Sequence, residues 1–317
     1  MESHRERCHH QSATVAKPIL QNGRNQTIIM MSQPLVSILI PAFNSQETIA
    51  ETLQSAQAQT WPRKEIILVD DGSTDRTLEI ANRFESAIIK VVTQPNQGAA
   101  AARNLAFSMC RGDYIQWLDA DDLLAPDKIA LQLKALGQNG SHLTLLTCSW
   151  GKFMYRVRKA TFIPTALWGN LSPAEWLYRK LQYNFYMQPG TWLVSRKLTE
   201  LAGPWDQRLL IDDDGEYFCR VLMASNGVQF VPEAKVYYRT MGSNRLSNIT
   251  HSPQKQEAQF LSLQLHIKYL LSLEDSMRTR TACLTLLQTW LYAFYPQRLN
   301  LVADAILVAE SLSLIHI

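Results

Sequence analysis

Four short strand-like runs separated by helical stretches constrain this chain more than any other feature. VSILIPAF (36–43) lies between Pro34 and Asn44, and EIILVDD (65–71), AIIKVVT (87–93) and YIQWL (114–118) follow at regular intervals. Runs apolar at nearly every position suit strands covered on both faces, as in parallel sheets. Helices are expected over 45–59, 74–84 and 97–110, and from Pro126 to Gly137. Asn44 followed by Glu47 gives an N-cap signature, QGAAAARN is rich in the best helix former, and Pro126 suits a first helical turn. Strands alternating with helices predict βαβ units: an α/β fold with a mainly parallel central sheet flanked by helices.

The second half is less regular. LTLLTCSW (143–150), KFMYRVRKATFIP (152–164), TWLVS (191–195) and VYYRT (236–240) read as strands. SPAEWLYRKL (172–181) reads as a helix with a capping box of Ser172 and Glu175, and DGEYFCRVLMAS (214–225) as another. Helical patterns continue after His251.

In open sheets of this kind ligands bind beyond the carboxyl ends of the strands. Asn44, then Asp70 and Asp71, then Asp119 and Asp121 lie at three such ends, so polar groups collect on one rim. Asp119 and Asp121 stand two apart and, in an extended segment, share a side. Adjacent anions repel unless a cation intervenes, and a hard divalent ion such as Mg²⁺ or Mn²⁺, shared with substrate phosphates, is the economical answer. An isolated D-x-D is more often a solvated turn capping the next helix, so the weight falls on its company.

That company is PAFN (41–44), VDDGSTD (69–75), NQGAAAARN (96–104) and WLDADD (117–122), in this order. The set resembles the family 2 glycosyltransferases, which have the GT-A fold, over about Pro34 to Thr240. The resemblance implies a sugar-nucleotide site: Pro41, Ala42 and Asn44 at the first strand end, Asp70 and Asp71 on base and ribose, and Arg103 near the nucleotide. Asp119 would lie near the ribose and the metal, Asp121 would hold the metal, and Asp122 would assist or cap a helix. The family carries an acidic pair opening a later helix, with an arginine six residues after the second acid. Asp214 and Arg220 fit that register, so Asp214 is the first candidate for general base and Asp213 the second. A helix N-terminus lowers a carboxylate pKa, so burial must offset it there. The segment 188–210 resembles the wall of the acceptor site. Trp192 and Trp205 are its candidates for stacking on sugars, although a core role is the commoner fate of a tryptophan. Arg220 is assigned to the acceptor side. RTMGSNRLS (239–247) is a candidate loop over the diphosphate. Ala42 stands where many members have a hydroxylated residue, which leaves base contacts from that strand to the main chain. The absence of Q-x-x-R-W argues against a processive synthase.

The implied reaction moves a sugar from a UDP- or GDP-linked donor to an acceptor hydroxyl on a glycan, lipid-linked or small molecule. It is inverting, metal-dependent and serves glycan or cell-surface polysaccharide synthesis. A nucleotidyltransferase would need a Gly-rich basic loop after the first strand, where PAFNSQET stands instead. A non-catalytic or truncated sugar-nucleotide-binding relative is the other reading, opposed by retention of all the expected acids.

Composition sets the remaining bounds. With 317 residues, 46% apolar, the chain can bury one large domain or one domain with an appendage. Its net charge is +3, of which the first 31 residues carry +2, too little to argue for nucleic acid. Five cysteines without C-x-x-C spacing predict reduced thiols in a cytoplasmic protein. No run reaches the ~20 apolar residues of a membrane span. Residues 1–31 are expected to be a disordered tail, with Met30 and Met31 as alternative starts. The transferase domain is expected over 32–250, with a nucleotide half (32–125) and an acceptor half (126–250). A helical extension follows over 251–317, which ends abruptly, as a truncated chain would. Packing on the core, homodimerisation and peripheral membrane contact are all open to it.

Overall fold

The computed structural model describes residues 33–138, 140–240 and 252–312. The expected N-terminal tail, Cys8 and most of the 239–247 loop lie outside them. All described residues from Pro34 onward belong to one compact unit.

The first half alternates as expected: β1 (Val36–Ala42), α1 (Ile49–Gln57), β2 (Lys64–Asp70), α2 (Thr77–Asn82), β3 (Ile89–Thr93), α3 (Ala99–Met109) and β4 (Tyr114–Trp117). Next come β5 (Leu123–Leu124), α4 (Lys128–Leu136), β6 (Thr144–Phe153), β7 (Thr161–Phe162) and α5 (Pro173–Tyr183). Then follow β8 (Leu193–Ser195), α6 (Arg196–Ala202), α7 (Asp213–Ala224) and β9 (Gly227–Arg239), and finally α8 (Pro253–Leu273), α9 (Met277–Leu291) and α10 (Leu299–Ser311).

The strands form one sheet in the order β3-β2-β1-β4-β8-β6-β9-β5, with β7 on the side of β6. β3, β2, β1 and β4 are parallel throughout, and β6 and β9 are parallel to each other. β8 is antiparallel to both its neighbours, and β5 is antiparallel to β9. All seven residues of β1 are buried, as a strand between two parallel neighbours with helices on its faces must be. Each buried Ile or Leu there contributes roughly 1.5–3 kcal/mol. α3 packs on β1 and β2, and α8 packs on both α7 and α5. Thus the helices after 252 join the same body rather than standing apart from it.

Several local expectations are corrected. Asn44 does not cap α1, which starts at Ile49 with no side-chain cap. Asn44 instead adopts a left-handed φ of 46°, and its Oδ1 accepts the Thr74 N–H at 2.8 Å, tying the end of β1 to the loop after β2. KFMYRVRKATFIP is not one strand: β6 stops at Phe153, a 3-10 turn occupies Val157–Lys159, and only Thr161–Phe162 pair again. Ser172 caps α5 by accepting the Glu175 N–H, but the Glu175 carboxylate turns to Arg179 and Arg278 instead of closing the box. Cys110, Cys148, Cys219 and Cys283 are free and buried, as expected of reduced thiols.

Candidate active site

The site is built where β1, β2 and β4 end together. β1 delivers buried Pro41 and Ala42, then exposed Phe43 and Asn44. The Ala42 carbonyl accepts the Asp71 N–H at 2.8 Å, so this main-chain acceptor already serves the neighbouring strand end. Asp70 and Asp71 are both buried but have different surroundings. Asp71 spends both oxygens on the turn entering α3, accepting from Gln94 Nε2 (2.6 Å), Gln97 N (2.9 Å) and Gly98 N (2.8 Å). Asp70 accepts from Ser73 N and Thr93 Oγ1 through Oδ2, while its Oδ1 has no protein partner. Gly72, between this pair and the next loop, has φ +71°, and a Cβ there would lie 2.8 Å from Asn96 N, so only glycine fits.

The carboxylates after β4 are not on an extended segment. The Asp122 N–H donates to the Asp119 carbonyl at 3.2 Å and folds WLDADD into a turn. Helix α1 clamps it: Thr48 and Thr52 hydroxyls donate to the Ala120 carbonyl at 2.9 and 3.0 Å, and Thr52 also reaches the Asp122 carbonyl. Asp119 and Asp121 remain partly exposed, whereas Asp122 is fully buried. Asp122 neither joins the rim nor caps α4; its Oδ1 accepts the Arg239 N–H at 3.0 Å, locking β9 to the turn. Burial, with the charges of Asp121 and Asp119, pushes its pKa well above the usual carboxylate range.

Arg103 links this turn to the distant acids. Its guanidinium donates to Asp119 Oδ1 at 2.8 Å and to Asp213 Oδ2 at 2.6 Å. It lies 4.4 Å over the Trp205 ring, which stacks on Tyr217 at 4.0 Å and meets Trp117 edge-on. Trp205 is therefore a buried shelf for the arginine and not an exposed sugar platform. Trp192 is corrected in the same sense: it is 1% exposed and stacked against Phe218, so it offers an acceptor no ring face. Arg220 grips Glu216 from the next turn of α7 and donates to the Ala202 carbonyl, holding α6 to α7.

Asp213 and Asp214 open α7 behind Asp212, which sits in the left-handed region at φ 56°. That strained residue is held from α8: Ser262 Oγ donates to Asp212 Oδ2, and His266 Nε2 lies 3.7 Å from the same oxygen. Tyr269, one further turn along, donates to Glu216 at 2.6 Å. Burial raises the pKa of Asp213, against the pull of Arg103. Burial, then the charges of Asp213 and Asp212, raise Asp214 to about 7, overcoming the helix dipole. Burial opposes the charge of Arg103, yet Asp213 and Asp119 hold its pKa above the ordinary value. His266 is driven by burial down to about 4 and stays neutral. The α8 contacts were not foreseen; the only signal was Ser262, His266 and Tyr269 at helical spacing on one face.

Among the described residues no three His, Cys, Asp or Glu side chains come together as a metal cage. The donors that do lie on the turn, Asp119 and Asp121, are hard oxygen ligands. They suit a divalent ion that completes its shell with phosphate and water.

The profile of glycosyl transferase family 2 matches residues 37–199, just over half of the chain. The chain belongs to that family. This family member is 29% identical over 232 residues to EpsJ, a Bacillus subtilis glycosyltransferase, the match covering 71% of the chain and 66% of EpsJ. It is 40% identical over 118 residues to a Haemophilus influenzae glycosyltransferase, covering 36% of the chain and 46% of that relative, under half its length. An Escherichia coli relative, 45% identical over 100 residues (31% of this chain and 40% of that one), is a UDP-Glc:α-D-GlcNAc-diphosphoundecaprenol β-1,3-glucosyltransferase, WfaP. Among solved structures, S. aureus TarS with UDP-GlcNAc superposes with a TM-score of 0.63 at 17% identity, covering 88% of this chain and 90% of that one. The mannosyltransferase PcManGT of Pyrobaculum calidifontis, solved with GDP-Man and Mn²⁺, gives 0.57 at 18% identity, covering 88% and 76%. The fold is GT-A. No described helix is long and apolar enough to cross a membrane. The family profile ends before Asp212, so the acids of α7 and their supports on α8 lie outside it.

Proposed function

We propose that this glycosyltransferase moves a hexosyl group from a nucleotide-diphosphate sugar to an acceptor hydroxyl, with inversion and with a divalent cation, in glycan or surface-polysaccharide synthesis. One observation carries the reading: Arg103 joins Asp119 of the D-x-D turn to Asp213, with Asp214 alongside at a pKa of about 7. One cation thus ties the D-x-D turn to the start of α7, next to the carboxylate of raised pKa. Solved structures of the same fold hold UDP-GlcNAc or GDP-Man, which supports the donor class.

Asp70, with an unpartnered oxygen, is the acceptor for a base or ribose donor, while Asp71 shapes the turn beneath it. Phe43, 48% exposed at the end of β1, offers a ring to the base. Pro41, Ala42 and Asn44, at the same strand end, would lie against the nucleotide. Asp121 and Asp119 would hold Mn²⁺ or Mg²⁺, which supplies neutralisation of charge on the leaving diphosphate. Arg103, its charge shared between Asp119 and Asp213, holds both acids in place on that side. Asp214 takes the proton of the acceptor hydroxyl as its oxygen bonds to the anomeric carbon. The bond from that carbon to the diphosphate breaks, its electron pair leaving with the nucleotide.

Calorimetric titration of UDP and GDP, with and without Mn²⁺, on the wild type and Asp121→Ala tests the donor side. Metal-dependent binding lost in the variant is expected; equal binding without metal and in the variant would overturn the metal assignment. The anomeric configuration of the product tests inversion.

A further inference from the structure

The chain between Asp127 and Glu175 contains no acidic residue. Within it, the segment leaving β6 carries Lys152, Arg156, Arg158 and Lys159, all exposed, and none forms an ion pair among the described residues. Exposed apolar side chains stand among and just after them: Tyr155 (76%), Met154 (56%) and Ile163 (65%). Grouped exposed apolar side chains mark interaction sites, and cations mixed with them are the composition of segments that lie at a membrane interface.

The root of this segment, Phe153, is tied to the strand that flanks the D-x-D turn. The Phe153 carbonyl accepts from Thr240 N (2.7 Å) and Oγ1 (3.0 Å), and the Phe153 ring lies 4.7 Å beneath the Arg239 guanidinium. Arg239 in turn donates from Nε to the Asp121 carbonyl at 2.9 Å and from its N–H to Asp122. One side chain therefore separates the root of the segment from the D-x-D turn.

We propose that residues 152–163 form a membrane-docking surface that seats this face on an anionic lipid bilayer. The four cations match the negative headgroup layer, and Met154, Tyr155 and Ile163 enter the interfacial zone, where a tyrosine ring keeps its hydroxyl in water. A soluble anionic glycan would satisfy the cations but leave Met154 and Ile163 nothing apolar to bury in. Docking here brings the donor rim to the bilayer, where a lipid-linked acceptor is presented. This surface goes beyond the donor reading, and lipid binding requires no turnover.

Vesicle co-sedimentation of the full chain tests it, with phosphatidylcholine mixed with phosphatidylglycerol against phosphatidylcholine alone. Binding to the anionic vesicles that weakens with salt is expected. The combined variant Arg156→Glu, Arg158→Glu, Lys159→Glu should lower it by at least about a hundred-fold, since each cation near such a surface is worth about five-fold. Met154→Ser with Tyr155→Ser should weaken it about ten-fold or more at unchanged charge. UDP binding by both variants should remain at the wild-type level, showing an intact fold. No binding to anionic vesicles, equal binding to neutral ones, or full binding by the charge variant would overturn the proposal. So would a soluble polyanion that competes fully while the Met154 and Tyr155 changes have no effect, since that marks a polymer site.

Discussion

Arg103 and Asp213 are hydrogen-bonded at 2.6 Å although 110 residues separate them in the chain. The other arm of the same guanidinium holds Asp119, so α3 sets the distance between the turn after β4 and the start of α7. Arg103→Lys keeps the charge but loses the planar fork that serves two carboxylates. Its kcat should fall about a hundred-fold or more, the scale of removing one preorganised donor. Arg103→Met leaves two acids without their cation and should cost about 3 kcal/mol in a urea titration. Near-normal turnover in the lysine variant would show that the bridge is only structural.

The pH profile follows from Asp214. A base must be deprotonated, so kcat should rise with pH through about 7 and level off above it. Asp212→Asn removes one of the two neighbouring charges that raise this pKa, so the acid limb should move to lower pH. An acid limb that stays in place would show that Asp214 is not the titrating group.

Asp214→Asn should abolish most turnover, about a hundred-fold or more, while UDP affinity is retained. Its stability should move the other way. The folded pKa of Asp214 lies above its ordinary value of 3.8, so its contribution is full below that value and is lost as pH rises through about 7. The asparagine variant should therefore melt at a higher temperature than the wild type above pH 7, with the gap closing in acid. Equal melting temperatures across the range would remove the burial argument.

Ser262→Ala deletes the donor that steadies Asp212 in its left-handed conformation. A loss of about 1 kcal/mol of stability is expected. So is a roughly ten-fold loss of kcat, the rate equivalent of about 1.4 kcal/mol, with the KM for donor unchanged. Ser262→Thr should restore both. A change in donor KM without a change in kcat would place Ser262 in the donor site instead.

Gly72→Ala would force a Cβ to within 2.8 Å of the Asn96 N at a φ of +71°. The cost should be about 1–3 kcal/mol, read as a lower urea midpoint, with weaker UDP binding because Asp71 and its turn shift. Wild-type stability would show that the loop relaxes at no cost.

The parallel half of the fold was legible because strands buried on both faces are written as unbroken apolar runs, as in Val36–Ala42. The placement of Asp70 and Asp119 at strand ends and of Asp213 and Asp214 at a helix start was legible because those boundaries are fixed by local chemistry, whereas their roles came only from the resemblance. Trp192 and Trp205 were not, because a tryptophan in sequence carries no sign of whether its face meets solvent, Phe218 or an arginine. Asn44 reads equally well as a cap or as a left-handed turn residue, since the same short amide serves both. The geometry of WLDADD escaped because a turn closed by Asp122 N–H looks like an extended segment until the threonines of α1 are placed beside it. The supports on α8 escaped because helical periodicity tells which residues share a face but not what that face meets.

The tie between Ser262 and Asp212 sets a limit on exchanging parts among relatives. A graft of residues 37–199 would carry over β1 to β4 and Arg103, but leave behind Asp212, Asp213 and Asp214 and the α8 residues that hold them. Under the proposed roles, chimeras cut after residue 199 would thus inherit a nucleotide grip whose proton acceptor is set by a foreign helix. Designers seeking new acceptors should move α7 and α8 as one cassette.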